Sequence, residues 1–241
     1  MAITNDAYFK YLENKGQAGY RAAILVKEQG DTLYSLLVAS ETVPSVFGSQ
    51  DSFEFDLLNS PVKGKIAGKM SLDDKEVEVL HHRDNVYRFE KLKGKVLDFM
   101  VVDGNFVGYK FTGTLSYRMN DASADVLRGT YTITPMSADP NPILNARDLC
   151  QETLCFADVV PDEMYQGESI TLSVVQGATG VTFSARKIDE NGKEGDVVSG
   201  AITSNTFTAP TQGGLYAITA SATNYAPWTT TVYVHATTRG N

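Results

Sequence analysis

The sequence predicts a mainly β protein with two domains, a larger one that includes one short helix and a smaller β-sandwich. Apolar and polar residues alternate over many short segments, as they do in strands that bury one face. Turn-forming residues separate these segments at short intervals. The 241 residues, of which 42% are hydrophobic and 21% charged, are enough for two domains and are typical of a folded chain.

The first part of the chain predicts an arm, a hairpin and a loop. Residues 1–19 mix polar and aromatic side chains without a sustained period and predict an irregular lead-in arm. The apolar runs at 20–26 and 32–39 flank the turn Gln29-Gly30-Asp31 and predict a hairpin. Residues 40–52 predict a loop longer than a simple connection needs, and such loops often carry function.

Strict alternation at 53–57 and 62–72 predicts a second hairpin with its turn at Asn59-Ser60. Charges of opposite sign and apolar side chains both fit a single antiparallel register. The predicted cross-strand pairs are Glu54 with Lys65, Asp56 with Lys63, Phe53 with Ile66, and Leu57 with Val62.

The following segments complete the larger domain. Residues 75–82 alternate like a strand, whereas 84–93 carry an apolar stripe of helical period and are followed by Gly94 as a C-cap. Further strands are predicted at 96–103, 106–118 and 129–134. The aromatic stripe on the long strand could stack on bases or sugars, but alternation favours a place in the core. Its members are Tyr109, Phe111 and Tyr117.

Two Xaa-Pro pairs, Asp139-Pro140 and Asn141-Pro142, predict the end of this sheet and an extended connector over 136–160. The predicted domains are therefore 1–160, with the arm and the connector, and 161–241. Five short strands separated by turns give the second domain the rhythm of a small Ig-like sandwich. They are predicted at 169–175, 181–187, 205–209, 215–222 and 228–236.

Motifs that would indicate catalysis are missing from the sequence, so we expect neither an enzyme nor a cofactor. His81 and His82 are the only histidines close together, and neighbours on a strand point to opposite faces, which argues against a shared metal. Cys150 and Cys155 are expected to be reduced thiols. Neither a nucleophile elbow nor a phosphate-binding glycine motif occurs, and the acidic pair Asp73-Asp74 is expected to be solvated.

Net charge and hydropathy exclude further classes of function. Lys and Arg total 21 against 29 Asp and Glu, a net charge of -8, which argues against tight nucleic-acid binding. Apolar runs stay well short of the roughly 18 residues that a membrane-spanning helix needs. The amino terminus resembles no signal peptide, so we expect synthesis in the cytoplasm and no membrane insertion.

The order of these segments resembles the major tail tube proteins of long, non-contractile-tailed bacteriophages of the siphophage type. The resemblance covers about residues 1–160 and depends on the hairpin 53–72, the helical segment 81–92, and the blocks 111–121 and 129–135. A bacterial Ig-like domain is often appended in this family, and residues 162–236 look like one.

The resemblance implies a tail-tube β-sandwich or partial barrel that forms stacked hexameric rings. The hollow tail would conduct double-stranded DNA during genome ejection, without a cofactor. Implied partners are further copies of the chain and the tape measure, terminator and distal tail proteins. The location implied is the virion tail, after synthesis in the host cytoplasm.

Two sets of residues are candidates for roles in such a tube. A lumen wall must carry no net basic patch, because a basic wall would bind DNA through counterion release. The hairpin meets this condition with Glu54, Asp56, Lys63 and Lys65. The arm, the loop 40–52 and the connector are the expected inter-ring contacts, whereas the Ig-like domain is expected to project outward and to be dispensable for tube formation. The anchor candidates are Tyr8, Phe9, Tyr11, Val46 and Phe47.

The sequence is also compatible with two other functions. The chain could be a virion or cell-surface adhesin whose Ig-like domain binds glycans, with Tyr225 and Trp228 as a carbohydrate platform, although packing at the end of a sandwich explains these aromatics equally well. It could also be the tube component of a secretion system, since that component has a similar fold.

Overall fold

The computed structural model describes residues 22–38, 43–48, 50–55, 64–102, 106–121 and 126–238. Helix α1 (Arg83–Leu92) and a 3-10 turn at Arg147–Leu149 accompany a large number of strands, so the mainly β fold class is confirmed. The strands are β1 (Ala23–Glu28), β2 (Ser35–Leu36), β3 (Gln50–Phe55), β4 (Gly64–Met70), β5 (Lys75–Leu80), β6 (Val96–Val102), β7 (Gly108–Met119), β8 (Arg128–Ala138), β9 (Glu163–Tyr165), β10 (Ser169–Thr171), β11 (Thr182–Ile188), β12 (Glu194–Val197), β13 (Ile202–Thr203), β14 (Thr206–Thr208), β15 (Gly214–Ser221) and β16 (Trp228–His235).

The first large element is an antiparallel sheet with the strand order β2-β1-β6-β7-β8-β5. Its β1–β2 pair is the predicted first hairpin. Strand β8 continues past Pro135, although proline has no N–H to donate to a neighbouring strand. Pro135 pairs with Gly113 of β7, and the register between the two strands shifts directly beside this pair. A Cβ at Gly113 would lie 2.5 Å from the carbonyl oxygen of Thr134, so this close approach of two backbones requires glycine.

One face of the six-stranded sheet is covered by α1 and by residues 43–48. The Phe99 and Phe111 rings stack with centroids 5.3 Å apart, and Tyr131 is fully buried beside them. Tyr109 and Tyr117 are partly buried against the same cluster. The prediction that the aromatic stripe belongs to the core is therefore confirmed.

Helix α1 begins and ends one residue before the predicted bounds 84–93. The His82 side chain caps it by accepting from the backbone N–H of Asp84, which also places a carboxylate near the positive end of the helix dipole. The backbone N–H of Lys93 donates to the carbonyl of Phe89, and Gly94 follows with φ +75°, as is usual after a helix C-terminus.

Residues beyond 160 form two sheets. Their strand orders are β10-β14-β13 and β12-β11-β15-β16-β9, antiparallel except for the parallel pair β9–β16. All five predicted strands are present with shifted ends. Strands β9, β12 and β13, of two to four residues each, are absent from the prediction.

A single hydrophobic cluster crosses the predicted boundary at residue 160. It joins Met100 of the six-stranded sheet to Leu154 of the connector and to Ile218 of β15, all fully buried. The connector pairs in both directions through isolated bridges, among them Tyr34 with Cys150 and Thr153 with Ala226. The division into 1–160 and 161–241 stays a prediction, but the two parts are packed against each other.

The stacked Phe99–Phe111 pair provides a test of this packing. We expect Phe99→Ala to lower the free energy of unfolding by about 3–5 kcal/mol, because it leaves a cavity in a fully buried position. Val96→Ala, at a 39% exposed position of the same strand, should change it by less than about 0.5 kcal/mol. Urea denaturation measures both; equal effects would contradict this core.

Candidate functional site

The β3–β4 hairpin is a two-stranded sheet of its own within the described chain. Phe53 pairs with Ile66 and Glu54 pairs with Lys65, so this part of the predicted register is confirmed. Asp56 and Lys63 lie outside the described residues. An isolated two-stranded hairpin is marginal in water, and its outer edges are templates for further strands. The lumen role of these four residues stays a prediction.

A second open edge is β5, which pairs only with β8 in the described part of the sheet. Its outward residues Glu76 and Glu78 are exposed and form ion pairs with Arg118 at 3.2 Å and with Arg128 at 3.1 Å. Charged side chains along an edge discourage unspecific strand pairing. Within the described chain, this edge is therefore unpaired but protected by charged side chains.

The candidate inter-ring anchors divide into two groups. Tyr8, Phe9 and Tyr11 lie outside the described residues. Val46 is only 5% exposed and belongs to the core under the six-stranded sheet, and Phe47 packs edge-to-face on Tyr109 with centroids 5.6 Å apart. These two residues fix the loop to its own sheet. An inter-ring role of these residues stays a prediction. Phe47 is partly exposed and therefore has more surface for such a contact than the buried Val46.

A buried carboxylate joins α1 to β16. Asp84 accepts hydrogen bonds from the Thr230 hydroxyl at 2.8 Å, and from the backbone N–H and hydroxyl of Thr231, both at 2.7 Å. A buried charge is tolerated only when it is hydrogen-bonded, and these three donors meet that requirement. Sequence reasoning missed this junction, although an acid in the first turn of a helix and a run of threonines on a strand were both visible.

A second contact lies farther along the same helix. The Tyr87 ring packs on Ile188 and Ala217, its hydroxyl donates to Glu194, and the Lys91 ammonium donates to the same carboxylate at 2.5 Å. Burial, followed by the hydrogen bond to Glu194, raises the pKa of Tyr87. Burial alone would raise the pKa of Glu194, but the hydrogen bonds from Lys91 and Tyr87 outweigh it and hold this pKa below its ordinary value of 4.5.

Trp228 is packed inside the protein. This residue is only 6% exposed, with the Arg88 guanidinium carbon 5.3 Å from its ring centroid. Tyr225 is partly buried against the same hydrophobic cluster. The two aromatics therefore form no open carbohydrate platform, and the alternative of packing at the end of a sandwich describes them.

The histidines and cysteines have separate surroundings. The Nδ1 atom of His81 lies 2.6 Å from the Tyr117 hydroxyl, whereas Nε2 of His82 lies 2.9 Å from Asp162. Both cysteines are free thiols; burial raises the pKa of Cys150 to about 12 and that of Cys155 to about 11, so neither is a ready nucleophile.

The described residues contain neither a metal-binding cluster nor a candidate membrane-spanning helix. They contain no group of three His, Cys, Asp or Glu side chains that could hold a metal ion. Among the helices of this part of the chain, none has the length and apolar character required to cross a membrane.

Comparisons with known proteins find a structural similarity but no matching family model or curated sequence. No protein-family model matches the chain, and no curated protein matches it. A chain of the six-fold symmetrised cryo-EM structure of the anti-feeding prophage baseplate is similar over 50% of this chain and 92% of its own length, with 10% sequence identity and a TM-score of 0.32. A similarity of this size carries no argument about function.

The Asp84 junction predicts that the two parts of the chain unfold together. Asp84→Ala leaves the buried N–H of Thr231 without its acceptor, so we expect a loss of about 2–4 kcal/mol in the free energy of unfolding. Calorimetry should show one transition, shifted as a whole. Glu90→Ala is the matched control, since it removes only an exposed ion pair of the same helix, worth less than about 0.5 kcal/mol. Two separate transitions would contradict the coupling.

The Glu194 contact predicts an acid-sensitive contribution to stability. Because the folded pKa of Glu194 lies below its ordinary value of 4.5, its contribution is present above that pH and is lost as the pH falls through the folded pKa. As the pH falls from about 5 to about 3, the melting temperature of Glu194→Gln should therefore decrease less than that of the parent chain. The exposed Glu190→Gln should follow the parent, and three identical pH profiles would refute the assignment.

Proposed function

We propose that this chain is a structural protein of a bacteriophage tail, in which residues 1–160 form stacked hexameric rings around a hollow tube. The observation that carries the proposal is the β3–β4 hairpin, a separate two-stranded sheet whose register matches opposite charges. The resemblance of residues 1–160 to tail tube proteins supports the same function.

Ring closure explains why such a hairpin and an open β5 edge occur together. A sheet edge in water is exposed to unspecific pairing, and closing the sheet into a barrel removes the edge. In a cyclic assembly each copy offers one edge to the next, so the contact is repeated until the ring closes. We infer that the hairpin of one copy pairs with an open sheet edge of its neighbour.

Charge supports passage of DNA through such a tube. The chain carries a net charge of -8, and the confirmed hairpin pair matches one acidic with one basic residue. A wall without net positive charge releases few counterions when DNA enters, so the genome would move without being held. The proposed partners are further copies of the chain and the tape measure, terminator and distal tail proteins of the virion.

For residues 161–241 we propose an Ig-like domain on the tube surface. Two mostly antiparallel sheets support it. The expectation that tube formation does not require this domain stays a prediction, and the buried contacts of Asp84 and the shared cluster argue against it. We infer that the domain is fixed against helix α1.

Negative-stain imaging of the concentrated full chain tests the proposed function. Rings or hollow filaments support the tube, and their recovery in virion tails distinguishes a phage from a secretion system. Isolated particles under all salt and crowding conditions, with no copies in virion tails, would exclude it. Glycan binding without self-assembly would favour the adhesin.

The hairpin register predicts a rescue experiment. Lys65→Glu sets two acidic residues opposite each other, and Glu54→Lys sets two basic ones, so each single change should reduce the yield of rings or filaments. The double variant restores a pair of opposite charge and should recover the yield. The yield is measured by counting assembled particles in micrographs. A double variant that assembles no better than the single ones would contradict the role of this pair.

A further inference from the structure

An open groove with a volume of about 520 Å³ lies in the part of the chain beyond residue 160. This volume is within the range of about 300–1,000 Å³ that is usual for small-molecule sites. Its floor includes the buried residues Ala201, Ala209 and Tyr216. The Tyr216 hydroxyl donates to the carbonyl of Gln212 at 2.6 Å, which fixes the ring in the floor. The groove thus combines an apolar floor with an opening to solvent.

The rim of the groove is rich in polar side chains that the protein itself does not use. Amide, hydroxyl and ammonium groups are all represented, and within the described residues none of them makes a side-chain hydrogen bond or ion pair. Elsewhere, exposed charges of the chain are often paired, as Lys95 is with Glu28 at 2.8 Å. The unused rim groups are Gln166, Lys187, Ser199, Thr211 and Gln212.

The charge of the groove differs from that of the whole chain. The full sequence has a net charge of -8, yet none of the described residues that line the groove is Asp or Glu, and Lys187 is the one cation among them. The ammonium of Lys187 has no carboxylate within 4.0 Å among the described residues. A ligand with one negative charge would supply the missing partner.

We propose that this groove binds a saccharide unit that carries one carboxylate or phosphate group. Neutral amides and hydroxyls suit the hydroxyl groups of a sugar, which donate and accept in turn. The partly exposed Val198 and Pro210 offer apolar surface to the C–H face of a sugar ring, and Lys187 pairs with the anion. A single cation is too few for a nucleic-acid strand, whose repeated phosphates require several. The proposal is independent of the proposed tail function.

Ligand-detected saturation-transfer NMR on the full chain tests this site, because it works on single particles and on large assemblies alike. The probes are cellobiouronic acid for the carboxylate, glucose 1-phosphate for the phosphate, and neutral cellobiose. We expect transfer to at least one anionic probe, and its identity shows which anion the groove prefers. No transfer to either anionic probe would overturn the proposal.

Variants locate the binding in the groove. Lys187→Gln should weaken anionic binding about fivefold and leave cellobiose unchanged, as expected for one partly exposed ion pair. Lys193→Gln is the charge-matched control, an exposed lysine outside the groove, and should have no effect. Thr211→Trp, or Ser199→Trp should the first variant fail to fold, places a large side chain at an exposed rim position and should abolish binding. Equal loss in both lysine variants, or full binding to the tryptophan variant, would overturn the assignment.

Discussion

The buried carboxylate of Asp84 is the constraint that fixes the two parts of the molecule relative to each other. A charge removed from water must keep its hydrogen-bond donors, and all three donors belong to Thr230 and Thr231 of β16. Helix α1 therefore cannot leave the five-stranded sheet without uncovering an unsatisfied charge or unsatisfied donors. The Tyr87–Glu194–Lys91 contact and the hydrophobic cluster across residue 160 act in the same direction. A chain built in this way presents its later sheets at a defined place on the earlier one.

The satisfied contacts of the Asp84 junction contrast with strand edges that stay unpaired in the described chain. The β3–β4 hairpin and the outer side of β5 leave backbone groups that no strand of the described chain pairs. Soluble proteins usually cover or charge such edges, and the exposed Glu76 and Glu78 are of that kind. The proposed ring would use edges of this kind, which are protected by charge and unpaired in the described chain.

The sequence predicted the elements that depend on interactions between residues close together in the chain. The Glu54–Lys65 register, helix α1 with Gly94 after it, and the five later strands were predicted because alternation, capping and turn residues act over a few positions. The Asp84 junction joins residues 146 and 147 positions apart, and no local pattern reports such a distance. Trp228 illustrates the same limit: its sequence neighbours left a carbohydrate platform and packing at the end of a sandwich equally open, and only the contact with Arg88, from another part of the chain, shows that the ring is packed.

The period of a β-strand explains how the five-stranded sheet can be anchored and open at once. Neighbouring residues on a strand point to opposite faces. On β11, Ile188 packs on Tyr87 of the helix whereas Lys187 lines the groove, and on β15 Ala217 faces the helix whereas Tyr216 forms part of the groove floor. One face of these strands is therefore committed to the junction, and the other packs in the hydrophobic cluster, with the groove only at its Lys187 and Tyr216 end. Because the two sets of side chains interleave along the same strands, anything bound in the groove is held by the same backbone that is fixed to helix α1.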